Sequence, residues 1–407
     1  MILEKESSME RANAPRIRLI AFYLPQFHPI PENDSWWGKG FTEWTNVAKA
    51  KTLFAGHFQP RLPSDLGFYD LRLPEVREAQ SQLAQAAGIE GFCYYHYWFA
   101  GRQLLERPLD EVVKTGSPAL PFCICWANQS WSGIWHGEPG KILIEQTYPG
   151  SADDEAHFMS LLPAFRDPRY IKIAGRLSFT LFRPKERPNS QAFFDHWQRL
   201  ASIHGLPGFY FIAHLFEDER EWDYRGAGYD SAVIVNNLKA YREGPESIFK
   251  KQWARANALP TLKERLSVKR RNLRNYGWYT WNRIRGILGG YFRNIVLYED
   301  AISFFLDGIR DGEFPCVIPN WDNTARSGKR GYVLHHSTPA LFEHHLEQAA
   351  RIVESRSPDT RIVFVKSWNE WAEGNYLEPD QRFGHQYLDA VSHVVARRDQ
   401  VERDFRG

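Results

Sequence analysis

The sequence of 407 residues has little cysteine, no dominant charge and no long apolar run. Its four cysteines are Cys93, Cys123, Cys125 and Cys316. They lie inside apolar segments and their spacing matches no zinc-binding pattern, so we expect reduced core thiols in a cytosolic protein. The 51 basic and 49 acidic side chains give a net charge of +2, which supplies no global argument for binding nucleic acid.

No segment approaches the roughly 20 apolar residues of a membrane-spanning helix. Residues 1–16 are polar and charged and lack the apolar core of a secretory signal, so we expect a flexible N-terminal segment there. One domain over 17–400 is expected to follow. These absences predict a protein that is neither secreted through an N-terminal signal nor transmembrane. We expect it to be cytoplasmic, with peripheral contact at the inner membrane as an alternative, and its oligomeric state stays open.

Tryptophan and tyrosine are abundant, at 15 and 18 residues. Their rings combine a flat apolar face with a polar edge, which suits stacking on the C–H faces of sugar rings. A large aromatic core with solvent-facing tyrosines explains the same composition. Composition alone slightly favours this second interpretation.

Eight apolar runs recur along the chain, and segments of helical period separate most of them. Because the runs are continuously apolar, they predict strands that are covered on both faces. They are Ile17–Tyr23, Gly91–Trp98, Phe122–Trp126, Leu177–Phe182, Gly208–Phe216, Asp230–Val235, Pro315–Trp321 and Arg361–Trp368. No GxGxxG or GxxxxGK[ST] motif is present, which argues against a nucleotide-binding fold. The alternation predicts an α/β protein with a (β/α)8 TIM barrel.

Polar and aromatic residues collect at the carboxyl ends of these runs, where a TIM barrel places its chemistry. The sharpest group is SWNEWAEGNYLEPD, from Ser367 to Asp380. Glu370 and Glu373 are three residues apart, so on a helical turn they project from one face. Cleavage of a glycosidic bond needs such a pair of carboxyl groups. The neighbouring Trp368 and Trp371 would raise the pKa of one carboxyl by desolvation.

A simpler interpretation explains the same spacing. Ser367-x-x-Glu370 is also a helix capping box, in which the glutamate serves only the helix terminus. Glu43 and Glu145 could also line a cleft, although a structural hydrogen-bonding role is favoured for each. The histidine pairs at 335–336 and 344–345 lack HExxH or acidic partner spacing, so we expect no metal site and no cofactor.

One segment departs from the barrel pattern. From Lys263 to Arg293 the chain carries nine basic residues and one acidic residue, interleaved with aromatic side chains. It belongs to a predicted insertion, 240–296, between strands six and seven. The segment is similar to amphipathic helices that lie on membrane surfaces. A solvated helical insertion explains the same pattern and is slightly favoured, since runs of charge usually form solvated faces.

Six long motifs, in chain order, resemble the glycoside hydrolase family 99-like group, specifically its WbsX-type branch among bacterial polysaccharide-biosynthesis proteins. The resemblance covers nearly the whole chain after about residue 16. The motifs are Ala21–Val47, His57–Leu71, Gly88–Gly101, Phe122–Trp131, Pro319–Arg326 and Ser367–Asp380.

The resemblance implies a metal-free (β/α)8 enzyme that acts on glycosidic bonds with retention through an E-W-x-E motif. Glu370 would deprotonate the sugar 2-hydroxyl, giving a 1,2-anhydro intermediate, and Glu373 would be the acid and base on the glycosidic oxygen. The implied substrate-binding residues include a sugar contact at Tyr23, polar groups near the reacting centre at Asp322 and Arg326, and a stacking platform at Trp126. The full predicted substrate-binding set is Tyr23, Trp44, His96, Trp98, Trp126, Asn128, Trp321, Asp322, Arg326, Asn369 and Trp371.

Two departures limit what the resemblance implies. Ala372 stands where the hydrolases carry histidine, and the first strand reads YLPQFH where they show a YYPW-like run. The α-mannoside specificity of those hydrolases is therefore not carried over. We expect an enzyme of bacterial surface polysaccharide metabolism that cleaves or transfers glycosidic bonds on an oligo- or polysaccharide. The alternative is a catalytically idle glycan-binding or membrane-surface scaffold.

Overall fold

The structure is a computed structural model that describes residues 17–133, 138–289 and 294–406. The segment predicted to be flexible, 1–16, lies outside these residues. Eight parallel strands form the centre of the fold. They are β1 (Arg18–Tyr23), β2 (Gly91–Phe99), β3 (Phe122–Trp126), β4 (Arg176–Leu181), β5 (Phe209–Phe216), β6 (Ser231–Val235), β7 (Phe314–Val317) and β8 (Ile362–Val365).

The sheet closes on itself. Each strand pairs with its neighbour in chain order, and β1 pairs with both β2 and β8. Ile20 lies opposite Phe364 of β8 and also opposite Gly91 of β2. This closure confirms the predicted (β/α)8 barrel.

Helices surround the barrel and connect successive strands. They are α1 (Pro31–Trp37), α2 (Glu43–Lys49), α3 (Pro74–Ala87), α4 (Arg107–Thr115), α5 (Ser151–Phe165), α6 (Ser190–Ile203), α7 (Lys239–Ala258), α8 (Leu262–Gly289), α9 (Tyr298–Phe305), α10 (Thr324–Ser327), α11 (Pro339–Val353) and α12 (Gln386–Arg406). Short strands lie in the segments around the barrel: Arg102–Leu104, Trp131–Gly133, Glu138–Ile144, Lys172–Ile173, Ile295–Leu297, Val333–His335, Asn369–Glu370 and Asn375–Tyr376.

The strands are buried on both faces, as continuous apolar runs predict. Every residue of β2, β3, β6, β7 and β8 is buried. All four cysteines are free and buried in this core, as expected from their apolar surroundings. The last two predicted strands are too long, because β7 ends at Val317 and β8 ends at Val365. The residues that follow turn away as loops that carry side chains of the site described below.

The basic segment forms part of a helical insertion between β6 and β7, which confirms its predicted position. α7 and α8 pack against each other, and α7 bends at Gly244, whose φ of 77° is in the left-handed region. Residues 290–293 of the basic segment lie outside the described part of the chain. In the part that the structure describes, no helix has both the length and the apolar character that crossing a membrane requires.

Candidate active site

A cleft of about 500 Å³ opens at the carboxyl end of the barrel. Its walls combine aromatic rings with charged and amide side chains from the loops that follow most strands. The lining includes Glu43, Tyr95, Tyr97, Trp131, Phe182, Arg183, Phe216, Asn237, Trp321, Arg326, Lys366, Glu370 and Glu373. Most enzymes built on this fold place their chemistry at this end.

The segment after β8 brings the two predicted catalytic glutamates into the cleft. Asn369–Glu370 pairs antiparallel with Asn375–Tyr376, and Trp371–Glu373 forms one 3-10 turn between them. Gly374 closes this turn with a φ of 54°, and a Cβ there would lie 2.8 Å from Asp322. Only glycine therefore fits the turn without displacing its neighbour.

Two cations hold the carboxyl groups in place. Lys366 Nζ lies 3.0 Å from Glu370 Oε1 and 4.0 Å from Glu373 Oε2. Arg326 donates from Nη1 to Glu373 Oε1 at 2.6 Å, and its Nη2 lies 2.9 Å from Glu43 Oε2. All five side chains are at most 12% exposed, so water screens these charges poorly.

The two glutamates differ in their affinity for a proton. Burial alone would raise the pKa of Glu370, but the Lys366 ammonium group and a hydrogen bond with Glu373 lower it to about 2. Burial, followed by the negative charge on Glu370, raises the pKa of Glu373 to about 8. Near neutral pH the pair therefore holds one ionised carboxylate and one protonated carboxylic acid.

The capping-box interpretation of Ser367 and Glu370 does not describe the structure. No helix begins at Ser367; the described chain instead enters the short strand Asn369–Glu370. The Ser367 hydroxyl donates to Glu370 Oε1 at 2.7 Å, which helps to stabilise the ionised form of the carboxyl group. The Ser367 side chain thus helps to orient Glu370 in the cleft instead of capping a helix.

Of the predicted substrate-binding residues, Trp321 and Arg326 line the cleft. The Trp321 ring centroid lies 5.6 Å from Lys366 Nζ, so the indole covers the cation from one side. Arg326 contacts both Glu43 and Glu373. These two residues and the glutamate pair are the predicted site residues that the fold brings together.

His96 and Trp98, the residues of β2 that were predicted to bind substrate, do not line the cleft. The rings of His96 and Trp98 stack on His157 of α5, with centroid distances of 5.0 and 4.9 Å. Tyr95 and Tyr97, which alternate with them, line the cleft instead. Successive side chains of a strand point to opposite faces, so one pair faces the helix layer and the other the barrel mouth.

The other predicted contacts are buried behind the cleft lining, where several of them position the loops. Trp126 packs edge-on to His157, and Tyr23 donates a hydrogen bond to Gln80 of α3. Asn128 donates to the backbone carbonyl of Arg183 and accepts from its N–H. None of these three contributes to the lining.

The remaining members of the set support the loop that carries the glutamates. Asn369 accepts from the Leu24 N–H and donates to the Leu24 carbonyl, which ties that loop to the end of β1. The Asp322 N–H donates to the backbone carbonyl of Glu373 at 2.7 Å. Trp371 donates to Glu378 at 2.6 Å, and its ring lies against Trp44 at 5.6 Å. These contacts orient the glutamate pair from behind.

Sequence reasoning missed several residues of the cleft. Lys366 is a single charge inside an otherwise apolar run, and this was an available signal. Tyr95 and Tyr97 would have been predicted if the correct set of alternate residues of β2 had been assigned to the cleft. Glu43, for which a structural role was favoured, lines the cleft and also bonds Arg326. Its involvement depends on contact between the loops after β1 and β7, which no local pattern reveals.

The fold and the cleft define a (β/α)8-barrel protein with a charged, aromatic-walled binding site at the carboxyl end. The chain belongs to the family described as Glycosyltransferase WbsX, whose model matches residues 19–391. Family membership and fold together support a carbohydrate-active role.

The chain is also similar to individual proteins of known sequence or structure. The uncharacterized protein WxcX of Xanthomonas campestris pv. campestris is 36% identical over 395 residues, covering 95% of this chain and 51% of that protein. The chain thus spans about half the length of the curated relatives it matches. A solved structure described as a glycoside hydrolase-like protein has a TM-score of 0.53 and 14% identity, with 94% of each chain covered. The GH99 endo-alpha-mannosidase from Bacteroides thetaiotaomicron has a TM-score of 0.49 and 13% identity, covering 95% of this chain and 98% of that one.

Proposed function

We propose that this protein is an enzyme of bacterial surface polysaccharide metabolism that cleaves or transfers glycosidic bonds with retention of configuration. The observation that carries the proposal is the buried pair of Glu370 and Glu373, whose pKa values are shifted in opposite directions. Two carboxyl groups of opposite protonation state are what the chemistry of glycosidic bonds requires.

The proposed first step uses both groups at once. The ionised Glu370 removes the proton of the sugar 2-hydroxyl, and the oxygen left behind attacks the anomeric carbon. As the bond from the anomeric carbon to the glycosidic oxygen breaks, Glu373 gives its proton to that oxygen. The products are a 1,2-anhydro sugar, a free leaving group, a protonated Glu370 and an ionised Glu373.

The second step reverses the proton transfers. Glu373 removes a proton from an acceptor hydroxyl, which attacks the anomeric carbon and opens the three-membered ring. The 2-oxygen regains its proton from Glu370, so both carboxyl groups return to their starting states. Two inversions at the anomeric carbon give net retention.

The cleft supplies surfaces suited to sugar rings. Tyr95, Tyr97, Trp131 and Trp321 contribute aromatic rings to its lining, and Asn237 contributes an amide. Aromatic faces stack on C–H groups, while the amide and charged groups hydrogen-bond hydroxyls. We therefore propose an oligo- or polysaccharide as the substrate.

The acceptor decides between hydrolysis and transfer. Water at the second step gives a hydrolase, and a sugar hydroxyl gives a transglycosylase or glycosyltransferase. The name of the family favours transfer. The chain has neither of the glycine-rich phosphate-binding motifs of nucleotide folds, so an oligosaccharide donor is as well supported as a nucleotide sugar.

Mass-spectrometric product analysis tests the proposal. The wild type and Glu373→Gln are incubated with the polysaccharide repeat of the host, with and without a pool of nucleotide sugars. Glu155→Gln, an exposed glutamate of α5, is the matched control. Products that form with wild type and control but not with Glu373→Gln support the proposal. Shortened or rearranged glycans identify a hydrolase or transglycosylase, and glycans extended only with nucleotide sugars identify a transferase. Glycan binding that never yields a product would contradict the proposal and favour an idle binding protein.

A further inference from the structure

The outward side of α8 exposes an unusual row of large apolar side chains. We call this row the α8 outer face, and it consists of Leu262, Leu266, Leu273, Trp281 and Ile284. Their exposed fractions range from 43% for Ile284 to 70% for Leu262. Leu262, Leu273 and Ile284 are eleven residues apart, which is close to three helical turns. The four aliphatic side chains therefore form one stripe along the helix axis, and Trp281 lies at its edge, about 60° around the helix from Ile284.

Basic residues border this stripe on both sides. At about 100° per residue, two groups of three flank the apolar row. One group is Arg265, Lys269 and Arg283, and the other is Arg270, Arg274 and Arg285. The single acidic residue of the segment, Glu264, accepts from the Thr261 hydroxyl and belongs to the helix start. The α8 outer face is thus apolar along its centre and positive along its edges, where Arg274 also forms an ion pair with Glu299 of α9 at 3.2 Å.

The opposite side of α8 already packs against the protein. Asn272 donates to the carbonyl of Phe249 on α7, and Asn275 donates to Glu299 of α9. Tyr279 is buried, donates to Asp300 and accepts from the Leu297 N–H. The inner side of α8 therefore makes the contacts with the rest of the protein. These contacts do not account for the apolar stripe on the opposite side.

We propose that the α8 outer face docks on the surface of an anionic lipid bilayer, with the helix in the plane of the membrane. Apolar side chains in a narrow stripe enter the boundary between headgroups and acyl chains, and flanking lysines and arginines reach the phosphates. Trp281 suits the same boundary, because indole rings prefer the interface to either water or hydrocarbon. At 28 residues, α8 would lie along about 40 Å of the surface.

The observations favour lipid over two other occupants. A second copy of the chain would bring two basic edges together, and their repulsion opposes such pairing. Single-stranded nucleic acid binds basic grooves through stacking on aromatic rings. Trp281 is the one ring among the five residues of the α8 outer face, and the others are leucine and isoleucine, so the face offers no series of rings for stacking. The excess of basic charge selects anionic rather than zwitterionic headgroups.

Flotation of the full-length protein with lipid vesicles tests this proposal without any glycan, so its outcome is independent of the proposed reaction. One set of vesicles is phosphatidylcholine alone and the other also contains phosphatidylglycerol. We expect binding to the anionic vesicles only, weakening as salt is raised. Arg270→Glu with Arg283→Glu, and separately Leu273→Glu with Ile284→Glu, should each lower the bound fraction about tenfold or more.

Two matched substitutions serve as controls. Ile203→Glu changes an apolar side chain that is 75% exposed at the end of α6, and Lys114→Glu reverses an exposed charge on α4. Both should bind vesicles like the wild type. Circular dichroism and the thermal midpoint establish that every variant is folded, and the salt dependence of the wild type needs no variant.

Several outcomes would overturn the proposal. The wild type could fail to bind anionic vesicles at low salt. The α8 variants could bind as well as the wild type, or the control variants could lose as much binding as the α8 variants. Concentration-dependent dimers that Leu273→Glu abolishes would assign the face to a second copy. Retention of RNA in a gel shift, without vesicle binding, would assign it to nucleic acid.

Discussion

The Arg326 guanidinium lies between two buried carboxyl groups, 2.6 Å from Glu373 Oε1 and 2.9 Å from Glu43 Oε2. The three residues belong to segments that follow β7, β8 and β1, so one side chain joins loops from both ends of the barrel sequence. Because Glu373 Oε1 accepts from the arginine, Oε2 is the oxygen available to carry an acidic proton. Arg326 therefore fixes the orientation of the Glu373 carboxyl group, with Oε2 on the side of Lys366.

Replacing the two glutamates should separate their roles. Glu373→Gln removes the proposed proton donor, so turnover of a natural glycan should fall roughly 10²–10⁴-fold. A donor with a good aryl leaving group needs no protonation and should recover much of that loss. Glu370→Gln should remain inactive on both donors, since Glu370 is proposed to act as the base on the 2-hydroxyl. Kinetics on the two donors, with Glu155→Gln as control, would refute the assignment if the two variants behaved alike.

In the proposed reaction, the raised pKa of Glu373 would set an alkaline limit on activity. The protonated form is present at neutral pH and is lost as the pH rises through about 8, so the rate should fall there. Glu373→Gln cannot lose a proton, and its residual activity on an aryl donor should lack this decline. A decline that persists unchanged in Glu373→Gln would assign the alkaline limit to another group.

Removal of the Lys366 cation should move the acidic limit of activity. Burial favours the neutral form of Glu370, and the nearby ammonium group is the largest influence that opposes it. In Lys366→Met the pKa of Glu370 should rise by roughly 1–3 units, shifting the acidic side of the pH–rate profile upwards. Lys366→Arg keeps the charge and should shift the profile much less. Superimposable profiles for Lys366→Met and the wild type would contradict this role.

Neighbouring residues of β2 should respond differently to substitution. Trp98 packs on His157 and donates to Asp153, so Trp98→Ala should cost about 3–5 kcal/mol of unfolding free energy with KM little changed. Tyr97 lines the cleft, and Tyr97→Ala should raise KM about tenfold with a smaller loss of stability. Denaturant unfolding and steady-state kinetics measure both effects. The reverse pattern would mean that β2 presents its other face to the substrate.

The barrel could be predicted because its strands are covered on both sides and therefore appear as uninterrupted apolar runs. The same property hides the phase of each strand, since His96 and Tyr97 are equally compatible with a buried run. Choosing the polar or aromatic residue nearest the strand end selected His96 and Trp98, which contact α5. Strand geometry dictates that side chains of β2 alternate between two faces, but the sequence does not show which set faces the cleft.

The glutamate pair could be predicted because it is local, on one short motif after β8. The charged groups around the pair are only partly local. Arg326 and Glu43 meet it only after β1, β7 and β8 have come together, and Glu43 by itself resembles an ordinary residue of a helix start. Lys366 is close in sequence, but its contact with both carboxyl groups depends on how the chain leaves β8.

A ribosome releases β1 long before β8, although these two strands are hydrogen-bonded neighbours in the finished barrel. Until β8 emerges, β1 and β7 are open sheet edges whose amide groups can pair with other chains. Glu370 and Glu373 follow β8 almost immediately, so ring closure and the arrival of the carboxyl pair happen together. A prematurely terminated product is therefore expected to be aggregation-prone and to lack the carboxyl pair, which makes it a substrate for chaperones and proteases.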